Sequence, residues 1–156
     1  MNLDKTVRGH DLFQALSVEQ TNRISGFSLV RKYEEGESIF NLGAAGTHVY
    51  MLLKGSVNLR LPADPSDFSI VISKIEKGEL FGLSPLLHSP KYTATAQCTE
   101  YTEVLAIEAK PFRELLVNSH PVGFDIMSRV ARIYFSRYIN VLKELQGVVS
   151  HIALIR

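Results

Sequence analysis

Apolar and polar positions along the chain change their period twice. In "SVEQTNRISG", residues 17 to 26, Ser17 stands three places before Gln20, the spacing of a capping box, and Gly26 is placed to close the helix in a left-handed conformation. From Phe27 to Glu108 short apolar runs alternate with Gly36, Gly43, Gly46, Gly55, the "PADPSD" turn at 62 to 67, Gly78 and Gly82. Many short strands punctuated by turns predict a sandwich or barrel. The clearest alternation is "SVNLRL": Val57, Leu59 and Leu61 are expected to face the core, with Ser56, Asn58 and Arg60 toward water. "FSIVISKIE", 68 to 76, follows after the turn and is expected to pair with it as a hairpin. "TEVLAIE", 102 to 108, is a further strand, with Leu105 and Ile107 under the next helix, "KPFRELLVN", where Pro111 suits the first turn.

After Pro121 the period becomes helical and stays so almost to the end. Tyr134, Tyr138, Val141, Leu145, Val148 and Ile152 are separated by four, three, four, three and four residues, a heptad seam. A seam of that length calls for a partner helix, hence a homodimer through the C-terminal helix. The competing reading packs these residues back on the β body. Gly147 interrupts the helix at a cost of about 1 kcal/mol relative to Ala and is a place where it can weaken.

Composition narrows the function. The 156 residues carry 17 Lys and Arg against 16 Asp and Glu, a net charge of +1, so no global field draws the chain to nucleic acid or anionic membrane. The single cysteine, Cys98, excludes an internal disulfide and a four-thiolate metal site. "MNLDKTVRGHDLF" holds no apolar run of signal-peptide length, and no stretch reaches the roughly 18 apolar residues of a spanning helix. The expectation is a cytoplasmic protein of one domain, residues 1 to 156, with its β body at about 27 to 108 and its terminal helix at about 121 to 152.

Three segments carry a family resemblance: "YEEGESIFNLGAAGTHVYMLLKGSVNL" at 33 to 59, "GELFGLSPLL" at 78 to 87 and "YTATA" at 92 to 96. With the long terminal helix they resemble the cyclic-nucleotide-binding domain of the catabolite-activator and Fnr (Crp/Fnr) superfamily. The resemblance implies a double-stranded β-helix, or jelly roll, with a short N-terminal helix and a C-terminal dimerisation helix. It also implies a regulatory role in signal transduction or transcription. In the family a phosphate-binding cassette runs Phe-Gly-Glu, a short helix, then Arg-Ser/Thr-Ala. The helix presents backbone N–H groups to the phosphate, the Arg pairs with it and the Glu takes the ribose hydroxyl.

Carried over position by position, the ligand-binding residues become Gly78, Glu79, Phe81, Gly82, Leu83, Ser84, Tyr92 and Thr93. Phe81, Gly82, Thr93 and Ala94 match. Leu83 stands in place of the ribose-binding Glu, and Tyr92 in place of the phosphate-binding Arg. An Arg–phosphate hydrogen bond contributes roughly 1.5 to 3 kcal/mol, so its loss weakens a cyclic nucleotide by about 10-fold to more than 100-fold. Pro85 has no N–H to add. The hydroxyls of Ser84, Tyr92 and Thr93, with Lys91 or His88 nearby, remain as anion partners. Three readings follow: a sensor of some other small ligand, a ligand-free dimerisation scaffold in which Leu83 and Tyr92 pack the pocket shut, and a weak cyclic AMP or cyclic GMP binder.

No other constellation competes with these. His48 is followed by Val49 and Tyr50, not by the second His of a metal-binding jelly roll. His10, His48, His88, His120, His151 and Cys98 leave haem as a minor alternative to no cofactor at all. Ser84 lacks the surroundings of a nucleophile and reads as the cap of the short helix. No enzyme activity is expected. Tyr134, Phe135 and Tyr138 read as packing in preference to a ligand lid. As given, the chain shows no recognition helix or basic face with which to read DNA.

Overall fold

The computed structural model describes residue 13 and residues 16 to 63 and 68 to 153, with side chains to 150. His10 and most of the 62 to 67 turn lie outside the described residues, as do the side chains of His151 and Ile152 of the seam. Helix α1, Val18–Gly26, opens with the expected capping box: Ser17 Oγ accepts from the Gln20 N–H at 3.2 Å and Gln20 Oε1 accepts from the Ser17 N–H at 2.9 Å. Gly26 does not close it in a left-handed turn. The helix continues through Gly26, and the Phe27 N–H, with φ −120°, bonds back to the Ile24 carbonyl at 3.2 Å.

Eight strands follow: β1 Ser28–Tyr33, β2 Ser38–Phe40, β3 His48–Lys54, β4 Val57–Ala63, β5 Phe68–Ile75, β6 Leu80–Phe81, β7 Thr95–Cys98 and β8 Thr102–Glu108. They form two antiparallel four-stranded sheets, ordered β1-β8-β3-β6 and β2-β7-β4-β5. β4 and β5 pair as the expected hairpin, with an irregularity between Leu59 and Arg60. Ser56, Asn58 and Arg60 are half-buried rather than facing open water, and Arg60 Nη1 donates to Gln97 Oε1 on the neighbouring strand.

Strand period decides which core each residue joins. On β3, Tyr50 and Leu52 enter the cluster between the sheets, while Val49 and Met51 point to the other side and meet the helices. β8 repeats the division, with Val104 and Ala106 inward and Leu105 and Ile107 toward the helices. Helix α2, Ala109–Asn118, covers that second face with Phe112, Leu115 and Leu116. Helix α3, His120–Ala153, packs Val122, Ile126 and Val130 there and then leaves it. The helix runs past Gly147 without a break. Beyond Val130 its apolar residues are mostly uncovered, including Leu145 at 56% exposure and Val148 at 58%. The helix is thus split into an anchored half and a projecting half.

Candidate functional site

The turn entering β6 is built by Gly78 and Glu79. Gly78, at φ +89°, donates its N–H to the Leu52 carbonyl at 2.7 Å, and Glu79 Oε2 accepts from the Glu76 N–H at 2.9 Å. Glu79 therefore braces the turn. Phe81 is fully buried between the sheets, and Gly82 turns the chain away at φ +63°. A β-carbon at Gly82 would lie 3.0 Å from both Phe40 Cε1 and Tyr50 Cδ2, so the aromatic rings close on a bare backbone.

The expected short helix is one 3-10 turn, Ser84–Leu87. Leu83 occupies its N-cap position with no side-chain hydrogen bond, and Ser84 is the first residue inside, so Ser84 is not the cap. Pro85 in that first turn withholds an N–H. Leu83 is 2% exposed and belongs to the helix-side core.

Tyr92 is held from both directions. Its backbone is clamped by the Gly43–Gly46 bend: the Gly43 N–H donates to the Tyr92 carbonyl and the Tyr92 N–H to the Ala44 carbonyl, each at 2.9 Å. Its ring stacks on Phe40, and its phenol donates to the His48 carbonyl at 2.8 Å while accepting from the His48 N–H at 3.2 Å. The hydroxyl is thereby committed to the β3 backbone.

Beside this cassette lies a cavity of about 280 Å³. Gly82, Leu83, Ser84, Tyr92 and Thr93 border it, together with Leu59 and Ile72 from the second sheet. Gly78, Glu79 and Phe81 do not; they hold the cassette from behind. His88 caps the 3-10 turn in a left-handed conformation and borders other surface clefts, while Lys91 is exposed and bridges to Ala45. Neither lines the cavity, so neither serves as the nearby cation expected from the sequence.

The fourth wall is α3. Tyr134, Arg137, Tyr138 and Val141 face the cavity, whereas Phe135 is 64% exposed and does not. Tyr134 and Tyr138 thus line the site as well as belonging to the apolar seam. Arg137 went unnoticed in the sequence, although its spacing of i+3 from Tyr134 and i−4 from Val141 places it on the seam face. It is the one charged side chain among the described lining residues. Its Nη2 donates to the Leu80 carbonyl at 2.9 Å. Burial lowers its pKa, while Glu79 and Tyr134 act in the opposite direction. For Tyr134 burial raises the pKa, opposed by Arg137 and by a hydrogen bond with the Ser84 side chain. α3 is therefore tied to the cassette at Leu80.

His48 does not sit in a metal cluster; no group of three His, Cys, Asp or Glu suited to an ion occurs among the described residues. Its Nδ1 lies 2.8 Å from Thr47 Oγ1 and its Nε2 3.4 Å from Arg31 Nη2. No helix among the described residues is long and apolar enough to cross a membrane.

Two antiparallel sheets, a cassette after the sixth strand and a long helix closing the cavity define a jelly-roll ligand-binding domain of the cyclic-nucleotide type. The cyclic nucleotide-binding domain family matches residues 30–119, and the chain belongs to that family. It is 28% identical over 127 residues to the "Cyclic AMP receptor protein" of Thermus thermophilus, covering 81% of this chain and 58% of the relative. It is 25% identical over 131 residues to the cAMP-dependent protein kinase type II regulatory subunit of Drosophila melanogaster, covering 83% of this chain and 33% of the relative. The chain thus spans between a third and three fifths of these two relatives. Among solved structures, a cyclic nucleotide-binding protein from Geobacter metallireducens superposes with TM-score 0.75 at 25% identity, over 88% of this chain and 99% of that one. The sensor domain of the transcriptional regulator DNR from Pseudomonas aeruginosa superposes with TM-score 0.75 at 18% identity, over 88% and 95%, and shares the fold. The two relatives are regulatory proteins, one of the Crp type and one a kinase regulatory subunit.

Proposed function

We propose that this chain is a sensory module in which a small ligand other than a standard cyclic nucleotide occupies the cavity and biases the setting of α3. The carrying observation is that the cavity is walled by the cassette on one side and α3 on the other, with Arg137 bonded to the Leu80 carbonyl across the junction. A ligand that binds one setting of α3 better than another shifts the population between them. The projecting half of α3, with Leu145 and Val148 exposed, supports a homodimer as the body that reads this shift. Buried Leu83 and Tyr92, in place of two charges, argue against tight cyclic nucleotide binding.

Thermal unfolding with and without millimolar cyclic AMP, cyclic GMP, other nucleotides and small organic anions tests the reading. A ligand at 100 times its dissociation constant adds about 2.7 kcal/mol. A shift with a compound that is not a cyclic nucleotide is expected. A shift with cyclic AMP or cyclic GMP alone would show that a standard cyclic nucleotide is the ligand, and none at all would favour a ligand-free dimerisation scaffold. Sedimentation at micromolar concentration is expected to give a dimer, and a strict monomer would remove the seam as an interface.

A further inference from the structure

The one charged side chain among the described residues that line this cavity stands on the helix and not on the strand. Tyr92 has no hydroxyl proton left to offer, because its phenol donates to the His48 carbonyl. Arg137 lines the same cavity from α3, and only one hydrogen bond, to the Leu80 carbonyl, accounts for its fork of five N–H donors. Two ion pairs occur among the described residues, Lys32–Glu103 and Arg129–Asp125, and Arg137 belongs to neither. Glu79 favours its charge from beyond ion-pair distance, with Oε2 taken by the Glu76 N–H. A half-buried guanidinium in an apolar cavity, without a carboxylate partner, is a group that gains from an incoming anion.

The remaining lining describes the body of that anion. Leu59, Ile72, Leu83 and Val141 with the rings of Phe40 and Tyr138 make the walls largely apolar, and besides Arg137 the lining offers only hydroxyls, those of Ser73, Ser84, Thr93, Tyr134 and Tyr138, with that of Tyr92 committed to His48. At about 280 Å³ the cavity is at the small end of ligand sites, which start at roughly 300 Å³. A ribose finds no carboxylate among the described lining residues to take its hydroxyls, whereas a flat apolar ring finds apolar walls. Resting on the sensory reading above, we propose that the ligand is a compact organic acid, an aromatic or branched aliphatic body carrying one carboxylate, which Arg137 grips. Because Arg137 is also bonded to β6 through Leu80, that grip fastens α3 to the cassette.

The test is calorimetric titration of the whole chain with indole-3-acetate, its neutral counterpart indole-3-acetamide, and cyclic AMP, each into the millimolar range. Native protein is expected to prefer the acid over the amide by about 10-fold or more. Arg137→Gln, whose amide can still donate to the Leu80 carbonyl, is expected to abolish the preference by weakening the acid far more than the amide. Arg137→Lys is expected to keep part of the preference, and unfolding midpoints of both variants establish that each is folded. Equal affinity for acid and amide in native protein, or a preference that survives in Arg137→Gln, overturns the assignment of Arg137. Binding of cyclic AMP with failure of both indole compounds overturns the organic-acid ligand but leaves a ligand-binding module. Failure of all three, against folded protein, overturns both.

Discussion

The ring of Tyr92 lies flat on the ring of Phe40, with centroids 3.9 Å apart and planes within 18°. This pair closes one end of an aromatic row that continues through Tyr50 and Phe81. In the resembling family the position of Tyr92 serves the ligand; here the side chain serves the scaffold, with 4% of it exposed. Replacement of Tyr92 by Phe keeps the stack and removes both hydrogen bonds to the His48 backbone. A loss of about 1 to 3 kcal/mol in denaturant unfolding is expected, since the His48 groups lose their partner. An unchanged midpoint would show that the β3 backbone finds other partners.

Gly82 offers a second test of how the cassette is held. Gly82→Ala forces a side chain into the left-handed region at φ +63° and presses its β-carbon on Phe40 and Tyr50. A destabilisation of about 1 to 3 kcal/mol is expected, measured by equilibrium denaturation, with the same variant weakening any ligand of the cavity.

The imidazole of His48 links the fold to pH. Burial lowers its pKa from 6.5, with Arg31 acting the same way and Glu108 against it. The unfolded chain, titrating near 6.5, then binds more protons than the folded one in the window just below that value. The contribution is fully present above pH 6.5 and is lost as the pH falls below it. The unfolding midpoint is expected to decline on going from about pH 7.5 to about pH 5, and His48→Asn to flatten that slope.

On α3, Gly147→Ala is expected to raise stability by about 0.5 to 1 kcal/mol. The residue is helical, and an added β-carbon meets nothing within 4 Å. Helix content by circular dichroism and the unfolding midpoint check this together.

Leu145→Glu combined with Val148→Glu is expected to convert the proposed dimer to monomer in sedimentation while leaving a folded β body, because both side chains are exposed on the single chain. A dimer that persists would place the interface elsewhere.

Local patterns in the chain determined most of the architecture. The Ser17–Gln20 capping box and the helical period after Pro121 reappear where their own residues place them, and Val57 and Leu59 of "SVNLRL" face the core as expected, because period and caps depend on neighbours a few positions away. The glycine spacing and the cassette segment were likewise legible, down to Leu83 and Tyr92 standing where charges were expected. Gly26 misled because the Phe27 N–H reaches the Ile24 carbonyl without a left-handed residue. What only the tertiary structure decided is the direction of side chains across the cavity. Tyr92 turns to the backbone of a strand 44 positions away, and Arg137 reaches the carbonyl of Leu80 from 57 positions away. Contacts at such separations carry no local period, so an arginine in a helical seam reads as one more surface charge until the folded sheet brings Leu80 beneath it.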